Sequence, residues 1–195
     1  VCGDQVEVEP IDQEDDWLIT EIGPRRNELT RPNMRGQVEI LAANLDYLVV
    51  VAAAEPRPDW FIVDRYLCAA ELMGIDAGII FNKVDVEHES PTDILEDYRR
   101  IGYAVVQCSA TTGSGIEEIR ELLQTHCAII VGQSGVGQSS IINCLLGDEV
   151  QRTADISEKS REGRHTTVNS AMISLPGGGV IIDSPGVRDY APALA

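Results

Sequence analysis

The segment from residue 129 to residue 143 has the features of a phosphate-binding loop. It reads IIVGQSGVGQSSIIN, which is an apolar strand, a glycine-bearing loop and the start of a helix. Gly132 and Gly137 let the backbone curl around an anion, so that successive N–H groups point inward and the helix N-terminus adds a favourable dipole. Ser139 stands where a hydroxyl binds Mg²⁺. We expect phosphate to be bound by Gly132, Gln133, Ser134, Gly135, Val136, Gly137, Gln138, Ser139 and Ser140.

A second segment has the chemistry of a guanine-binding site. Asn82, Lys83 and Asp85 follow a predicted strand, at the edge where doubly wound sheets bind ligands. The Asp85 carboxylate can accept from the ring N–H and the exocyclic amine of guanine, while Asn82 ties neighbouring loops together and the Lys83 stem covers the ring. Ser109 and Ala110 follow the next strand, where a backbone N–H can meet the base carbonyl. The alternative interpretation is a plain strand-ending turn for residues 82–85 and an ordinary strand-to-helix turn for the phosphate loop.

The phosphate loop departs at one position from the pattern GxxxxGK[ST], because Gln138 replaces the lysine. A glutamine donates neutral hydrogen bonds but brings no positive charge to the β- and γ-phosphates. The loss of one charge-assisted hydrogen bond costs about 1.5 to 3 kcal/mol, which is about 10- to 100-fold in affinity. The loop lysine also neutralises charge that develops during phosphoryl transfer. We therefore expect guanine nucleotide to bind and to be hydrolysed slowly, and we count Gln138 among the catalytic positions.

A third group of residues is placed to sense the γ-phosphate. Asp183 and Gly186 belong to the sequence DSPG at the end of another predicted strand. They match a DxxG element in which the aspartate reaches Mg²⁺ and the glycine N–H reaches the γ-phosphate. The polar stretch before this element contains Thr166 and Thr167, either of which could complete the Mg²⁺ shell. The choice between the two threonines stays open.

The order of these motifs is the reverse of the order in ordinary GTPases, since the guanine-reading residues precede the phosphate-reading residues. The motifs are 82–85, 109–110, the phosphate loop 132–139, GRHTT at 163–167 and DSPG at 183–186. Together with RRNELTRPNMRGQ at 25–37, this permuted order closely resembles the ribosome small-subunit-dependent GTPase A family over nearly the whole chain. The resemblance implies GTP and GDP as ligands, Mg²⁺ as the metal, an N-terminal OB-fold that contacts ribosomal RNA, and GTP hydrolysis during late assembly of the small ribosomal subunit.

The chain differs from that family in three respects. Family members keep the lysine at the position of Gln138, they start earlier, and they continue into a zinc-binding domain, whereas we expect no zinc site in this chain. Val187 follows DSPG, where many GTPases place a water-orienting glutamine. By resemblance and by elimination, His165 is our candidate for that role, although a lone loop histidine is more often simply solvated.

The hydrophobic pattern predicts an α/β fold with a doubly wound, mainly parallel sheet, in which apolar strands alternate with amphipathic helices from Leu45 onward. Residues 1–38 are predicted to form short β segments, which by the family resemblance would be part of an OB-fold, and residues 39–195 are predicted to form the permuted GTPase domain. The predicted strands are 47–53, 77–81, 104–108, 128–131, 171–175 and 180–182, and the predicted helices are 60–73, 91–101, 116–125 and 138–146. Ser90 is the predicted N-cap of the second helix, with Pro91 at its first position and Gly102 as its stop.

The composition limits the possible partners. The formal net charge of −17 argues against broad binding of nucleic acid, which needs cations to displace counterions from phosphate. An rRNA contact must be local, and its candidates are Arg25, Arg26, Arg31 and Arg35, with a solvated loop as the alternative. Five widely spaced cysteines without a CxxC pair are typical of reduced, mostly buried intracellular thiols. No apolar run reaches the roughly 18 residues of a membrane helix, so we expect a cytoplasmic monomer without membrane contact.

Two rival functions use the same residues. A nucleotide-sensing scaffold of the small subunit would bind GTP without hydrolysing it. A P-loop enzyme that uses ATP is disfavoured, because Asp85 offers no pairing for the edge of adenine.

Overall fold

A computed structural model of the chain describes residues 1–11, 16–32, 36–87, 91–147 and 170–183. The strands are β1 (Val6–Pro10), β2 (Trp17–Ile22), β3 (Glu28–Pro32), β4 (Val38–Ala43), β5 (Tyr47–Ala53), β6 (Asp76–Asn82), β7 (Ala104–Gln107), β8 (Cys127–Gly132), β9 (Ala171–Ser174) and β10 (Val180–Asp183). The helices are α1 (Trp60–Met73), α2 (Thr92–Arg100), α3 (Ile116–Leu123) and α4, residues 138–147.

The central sheet has six strands in the order β7-β6-β5-β8-β10-β9. All neighbouring pairs are parallel except β10 with β9, which form an antiparallel hairpin. Every residue of β5, YLVVVAA, is buried, as expected for a strand that is covered on both faces. The predicted doubly wound, mainly parallel sheet is therefore confirmed.

The two faces of the sheet bury separate hydrophobic clusters. On one face, Leu48 and Val50 of β5 belong to a cluster with Tyr66 of α1 and Leu95 of α2. On the other face, alternate residues of β5 belong to a cluster with α3 and α4, which contribute Ile119 and Ile141 among others. Because successive side chains of a strand point to opposite faces, one apolar strand supplies both clusters and holds the two helical layers in register.

The predicted element ends agree closely with the structure. The bounds of β5 and α1 are those that the sequence predicted, and the remaining predicted elements of the sheet domain differ by one or two residues at an end. The hairpin predicted between residues 175 and 180 forms, with the Leu175 N–H donating to the Gly179 carbonyl at 3.0 Å.

One helix start was predicted wrongly. Pro91 occupies the N-cap position of α2 rather than its first helical position, because its ψ of 38° is not helical. Its carbonyl accepts the first helical hydrogen bond, from the Leu95 N–H at 3.0 Å. The predicted cap Ser90 lies outside the described residues. Gly102 has a φ of 107°, in the left-handed region that ends a helix, as predicted.

The N-terminal strands form two antiparallel hairpins, β1–β2 and β3–β4. Leu29 of β3 is 2% exposed and belongs to the cluster beneath α1, so β3–β4 packs onto the core of the sheet domain. Both strands of β1–β2 are exposed along their length. The predicted domain boundary at residue 38 falls between β3 and its partner β4, and the division itself stays a prediction.

All five cysteines are free thiols, and Cys108 is the buried one. The expectation of mostly buried thiols is wrong, most clearly for Cys68, which is exposed on the outer face of α1. Within the described ranges, no helix has the length and apolar character needed to cross a bilayer.

Candidate functional site

The candidate site lies where the winding of the sheet reverses. From β5 the chain proceeds outward through β6 to β7, whereas β8 returns to the other side of β5 and leads toward β10. Because these strands are parallel, their carboxyl ends share one edge. The loops that leave this edge next to the reversal are the usual place for a ligand in such sheets. They contain residues 54–59, 83–87, 108–115 and 133–137.

Asn82 joins three of these loops. Its side chain is buried, with 1% of the residue exposed. The amide nitrogen Nδ2 donates to the carbonyl of Val136 in the phosphate loop at 2.9 Å. The oxygen Oδ1 accepts from the N–H of Ala110 at 3.1 Å and from the thiol of Cys108 at 3.4 Å. The predicted base-binding and phosphate-binding segments therefore meet at one edge, and Asn82 tethers them as its position predicted.

Lys83 ties the same loops together through its ammonium group. Its Nζ donates to the carbonyls of Glu55 and Gly135, each at 2.7 Å. The backbone of Lys83 has a φ of 63°, which is uncommon for a residue with a side chain. Asp85, two residues later, is exposed at the rim of the site. The carboxylate of Asp85 is therefore accessible to a nucleobase, whereas the ammonium of Lys83 is held between two loops.

Two glycines of the phosphate loop allow its close approach to the neighbouring strands. Gly137 has a φ of 93°, and a Cβ there would collide with the side-chain amide of Asn82. Gly132 has a φ of 153°, and a Cβ there would collide with the carbonyl of Val51. Any other residue at either position would push the loop away from β5 and β6.

The backbone of the phosphate loop is suited to hold an anion. The N–H groups of Ser134, Gly135 and Gly137 donate no hydrogen bond to any described residue. Val136 is fully buried and anchors the loop in the core, while Ser139 is exposed in the first turn of α4. Unpaired N–H groups beside a helix N-terminus are the donors that phosphate uses. The residues present therefore fit the phosphates of a nucleotide.

Gln133 makes a contact that the sequence did not predict. Its Oε1 accepts from the backbone N–H of Asp59 at 3.0 Å. Asp59 in turn caps α1, because its carboxylate accepts from the N–H of Phe61 at 3.0 Å. The phosphate loop is thus fastened to the segment before α1. Because the donor is a backbone N–H, the residue types of that segment could not predict this contact.

The loop after β7 is closed on itself. Ser109 is buried, its N–H donates to the Ser114 carbonyl at 2.9 Å, and its hydroxyl accepts from the Thr112 N–H at 3.1 Å. Burial raises the pKa of the Cys108 thiol to about 12, so this thiol stays protonated and can donate to Asn82. Cys108 is a supporting residue that we did not predict, because a single buried cysteine leaves no spacing signal.

The remaining predicted site residues divide into two groups. Asp183 ends β10 and is paired with Ile130 of β8, so it lies at the same edge as the phosphate loop. His165, Thr166, Thr167 and Gly186 lie outside the described residues. The roles of these residues in metal binding, γ-phosphate sensing and catalysis stay predictions.

The arginines proposed to contact RNA have carboxylate partners. Arg25 forms a bidentate pair with Asp4, at 2.6 and 2.9 Å, and its guanidinium holds the pKa of the Asp4 carboxyl well below its usual range. Other ion pairs join Arg26 to Asp46 and Arg31 to Glu39, each at 2.9 Å. Arg35 lies outside the described residues. The positive charge of this run is therefore largely balanced by neighbouring acids.

Comparison with known proteins identifies the family. The family model described as RsgA GTPase matches residues 22–192. The chain belongs to the RsgA GTPase family. The resemblance drawn from the permuted motifs is thereby confirmed.

RsgA proteins of two bacteria illustrate the similarity. The chain is 42% identical to "Small ribosomal subunit biogenesis GTPase RsgA" of Ectopseudomonas mendocina, over 97% of this chain and 56% of that protein. It is 43% identical to the protein of the same name from Hahella chejuensis, over 86% of this chain and 49% of that protein. The chain thus spans about half the length of the curated relatives it matches.

Two solved structures share the fold. The crystal structure of YjeQ from Thermotoga maritima matches with a TM-score of 0.66 and 29% identity, over 94% of this chain and 59% of that one. The crystal structure of YloQ, described as a circularly permuted GTPase, matches with a TM-score of 0.65 and 25% identity, over 98% of this chain and 58% of that one. The fold of this RsgA-family chain is accordingly that of a circularly permuted GTPase.

Proposed function

We propose that this chain is the nucleotide-binding part of a GTPase that acts in maturation of the small ribosomal subunit. It binds GTP and GDP and hydrolyses GTP to GDP and phosphate. The observation that carries the proposal is the position of Asn82, whose side chain bonds both to Val136 of the phosphate loop and to Ala110 of the opposite loop. A ligand with a purine at one end and phosphates at the other fits an edge where these loops are joined. The printed names of the relatives supply the ribosomal context.

Each part of the nucleotide has its own binding residues in this proposal. The Asp85 carboxylate accepts from the ring N–H and amine of guanine, and the stem of Lys83 covers the ring. The N–H groups of residues 132–140 hold the phosphates, and the Gly186 N–H meets the γ-phosphate. The rigid link through Asn82 fixes the spacing between these two halves, which is what selects a nucleotide over a free base or free phosphate.

Mg²⁺ is the metal that we propose for this site. Ser139, Asp183 and one of Thr166 and Thr167 would hold it, since hydroxyl and carboxylate oxygens are the ligands that Mg²⁺ takes. When bound, the ion offsets the negative charge of the phosphates. His165 is proposed to orient the attacking water, because the apolar Val187 cannot hydrogen-bond it.

Gln138 favours a second candidate, a nucleotide-sensing scaffold that does not hydrolyse GTP. The neutral side chain leaves the phosphate loop without its usual cation. Lys83 does not replace that cation, because its ammonium is already committed to the carbonyls of Glu55 and Gly135. Phosphate release with and without small ribosomal subunits separates the two candidates: stimulated release supports the GTPase, and bound but unhydrolysed GTP supports the scaffold.

The ribosomal partner is proposed from the names of the relatives. A cytoplasmic, monomeric state is a separate part of the proposal. Arg25, Arg26 and Arg31 can bind ribosomal RNA only if its phosphates displace or share the carboxylate partners of these arginines. Such exchange is weak at physiological salt unless several contacts act together. The small-subunit contact is therefore expected to include more than this arginine run.

Calorimetric titration with GDP and with ADP, both with Mg²⁺, tests the proposed ligand. We expect GDP to bind and ADP to bind at least about 100-fold more weakly, because a polar site rejects a partner that leaves its groups unpaired. Asp85→Ala should remove this preference, whereas the matched control Asp93→Ala, at an exposed position on α2, should keep it. Equal affinity for GDP and ADP, or no binding of either, would contradict the proposal.

A further inference from the structure

We infer that Arg57 contacts the phosphates of the bound nucleotide and supplies positive charge that Gln138 does not provide. The inference rests on the proposed function, since it concerns the same nucleotide. It assigns a binding role to a residue of the segment between β5 and α1, which has no sequence motif of its own.

The segment that carries Arg57 is held against the phosphate loop on both sides of this residue. Before it, the Glu55 carbonyl and the Gly135 carbonyl share the ammonium of Lys83, each at 2.7 Å. After it, the Asp59 N–H donates to the side chain of Gln133 at 3.0 Å. These contacts place the backbone of Arg57 beside the middle of the phosphate loop.

Pro56 of this segment lies near Gly135 of the phosphate loop. The Cδ atom of Pro56 lies 3.8 Å from the position that a Cβ of Gly135 would take. Arg57 follows Pro56 directly and precedes Pro58, and the fixed φ of each proline limits how the short segment can move. A long arginine side chain that starts one residue from this contact can extend over the loop.

Arg57 also differs from the other described cations, because it has no partner among the residues that the structure describes. It is exposed, and it forms no ion pair or hydrogen bond with any residue in the described ranges. The other described cations each have such a contact or lie on an aromatic ring: Arg25, Arg26, Arg31, Lys83, Arg99, Arg100 and Arg120 in the first group and Arg65 in the second. The flanking carboxylate of Asp59 is used to cap α1. The guanidinium of Arg57 is therefore available to a ligand.

The chemistry of the site calls for such a group. The chain carries a net charge of −17, and a nucleotide adds further negative charge. Guanidinium binds phosphate through two parallel hydrogen bonds and stays charged at any working pH. A neutral glutamine at position 138 together with a free arginine beside the loop accounts for phosphate binding without the usual lysine.

Calorimetry of the wild-type chain and Arg57→Ala with guanosine and with GDP and Mg²⁺ tests the inference. Arg57→Ala should weaken GDP binding by about 10- to 100-fold and leave guanosine binding within about twofold. Arg57→Lys keeps the charge but not the bidentate geometry. Its GDP affinity should therefore lie between those of the wild-type chain and Arg57→Ala. The matched control Arg100→Ala removes an equal charge from an exposed position on α2. It should change neither the GDP affinity nor the guanosine affinity.

The same substitution, made in a chain that also carries Gln138→Lys, provides a second test. When Gln138→Lys restores the loop cation, Arg57→Ala should cost less GDP affinity than in the native background, because the two cations serve the same phosphates. Unchanged GDP affinity in Arg57→Ala, or an equal loss for guanosine and GDP, would overturn the inference while leaving the proposed function in place. Failure of the wild-type chain to bind GDP would instead overturn the proposed function.

Discussion

The edge around Asn82 and the arginine segment, residues 25–31, use polar groups in opposite ways. At the edge, side chains bond to backbone groups of other loops, and three N–H groups of the phosphate loop have no partner among the described residues. In the arginine segment, Arg25, Arg26 and Arg31 bond to carboxylates of the same chain. The presence of charged residues therefore does not by itself identify a binding surface. What matters is whether their hydrogen-bonding capacity is already used.

Asn82→Ala should produce the largest effect, because it removes the link on which the binding edge depends. The Val136 carbonyl and the Ala110 N–H both lose their partner, and the two loops lose their fixed spacing. GDP affinity should fall by at least about 100-fold. Calorimetry with GDP and Mg²⁺ measures this, with Gln107→Ala at the exposed end of edge strand β7 as the control. A variant that binds GDP within about threefold of wild type would mean that the link is not needed for binding.

Gln138→Lys should produce the next effect, in the favourable direction. A restored ammonium adds a charge-assisted hydrogen bond to the phosphates, so GDP affinity should rise by about 10- to 100-fold. GTP hydrolysis, measured as phosphate release, should rise with it. Gln124→Lys adds the same charge at the exposed end of α3 and serves as the control. If both variants bind and hydrolyse like wild type, our explanation of position 138 is wrong.

Asp4→Asn should produce the smallest effect and should spare the nucleotide site. The Arg25 guanidinium lowers the pKa of Asp4 in the folded chain, so the stabilisation is present above the ordinary carboxyl pKa of about 4 and is lost as the pH falls below it. At pH 7 the variant should melt about 2 to 4 °C below wild type, and the gap should narrow at pH 3.

Thermal unfolding at the two pH values measures this prediction, with Asp16→Asn as the control, because Asp16 is exposed and has no ion pair among the described residues. GDP affinity should remain unchanged, which separates the structural ion pair from the binding edge. A gap that widens on acidification would contradict the assigned sign, and a loss of GDP affinity would show that the two regions are coupled.

The sheet domain was predictable because local and long-range signals agree. The unbroken apolar run of β5 is typical of a parallel strand that is covered on both faces. The bounds of α1 follow from a capping aspartate at residue 59 and a left-handed glycine at residue 74. The start of α2 was predicted one residue too early, because a proline is compatible with the N-cap as well as with the first helical position.

The candidate site was predictable where side chains with distinctive chemistry recur at fixed spacings. Asn82 and the phosphate-loop glycines were found in this way. The contacts of Lys83 with two carbonyls and of Gln133 with a backbone N–H were not, because backbone partners carry no residue signature. The ion pairs of the arginine segment were also missed, since their carboxylates are brought close only by strand pairing and chain folding.

An NMR titration with GDP and Mg²⁺ tests most directly the claim that base-binding and phosphate-binding loops form one site. We predict that the side-chain amide of Asn82, the amide of Asp85 and the amides of Ser134, Gly135 and Gly137 shift together, with a single dissociation constant. Shifts confined to one of the two loops, or two separate dissociation constants, would contradict a single site built around Asn82.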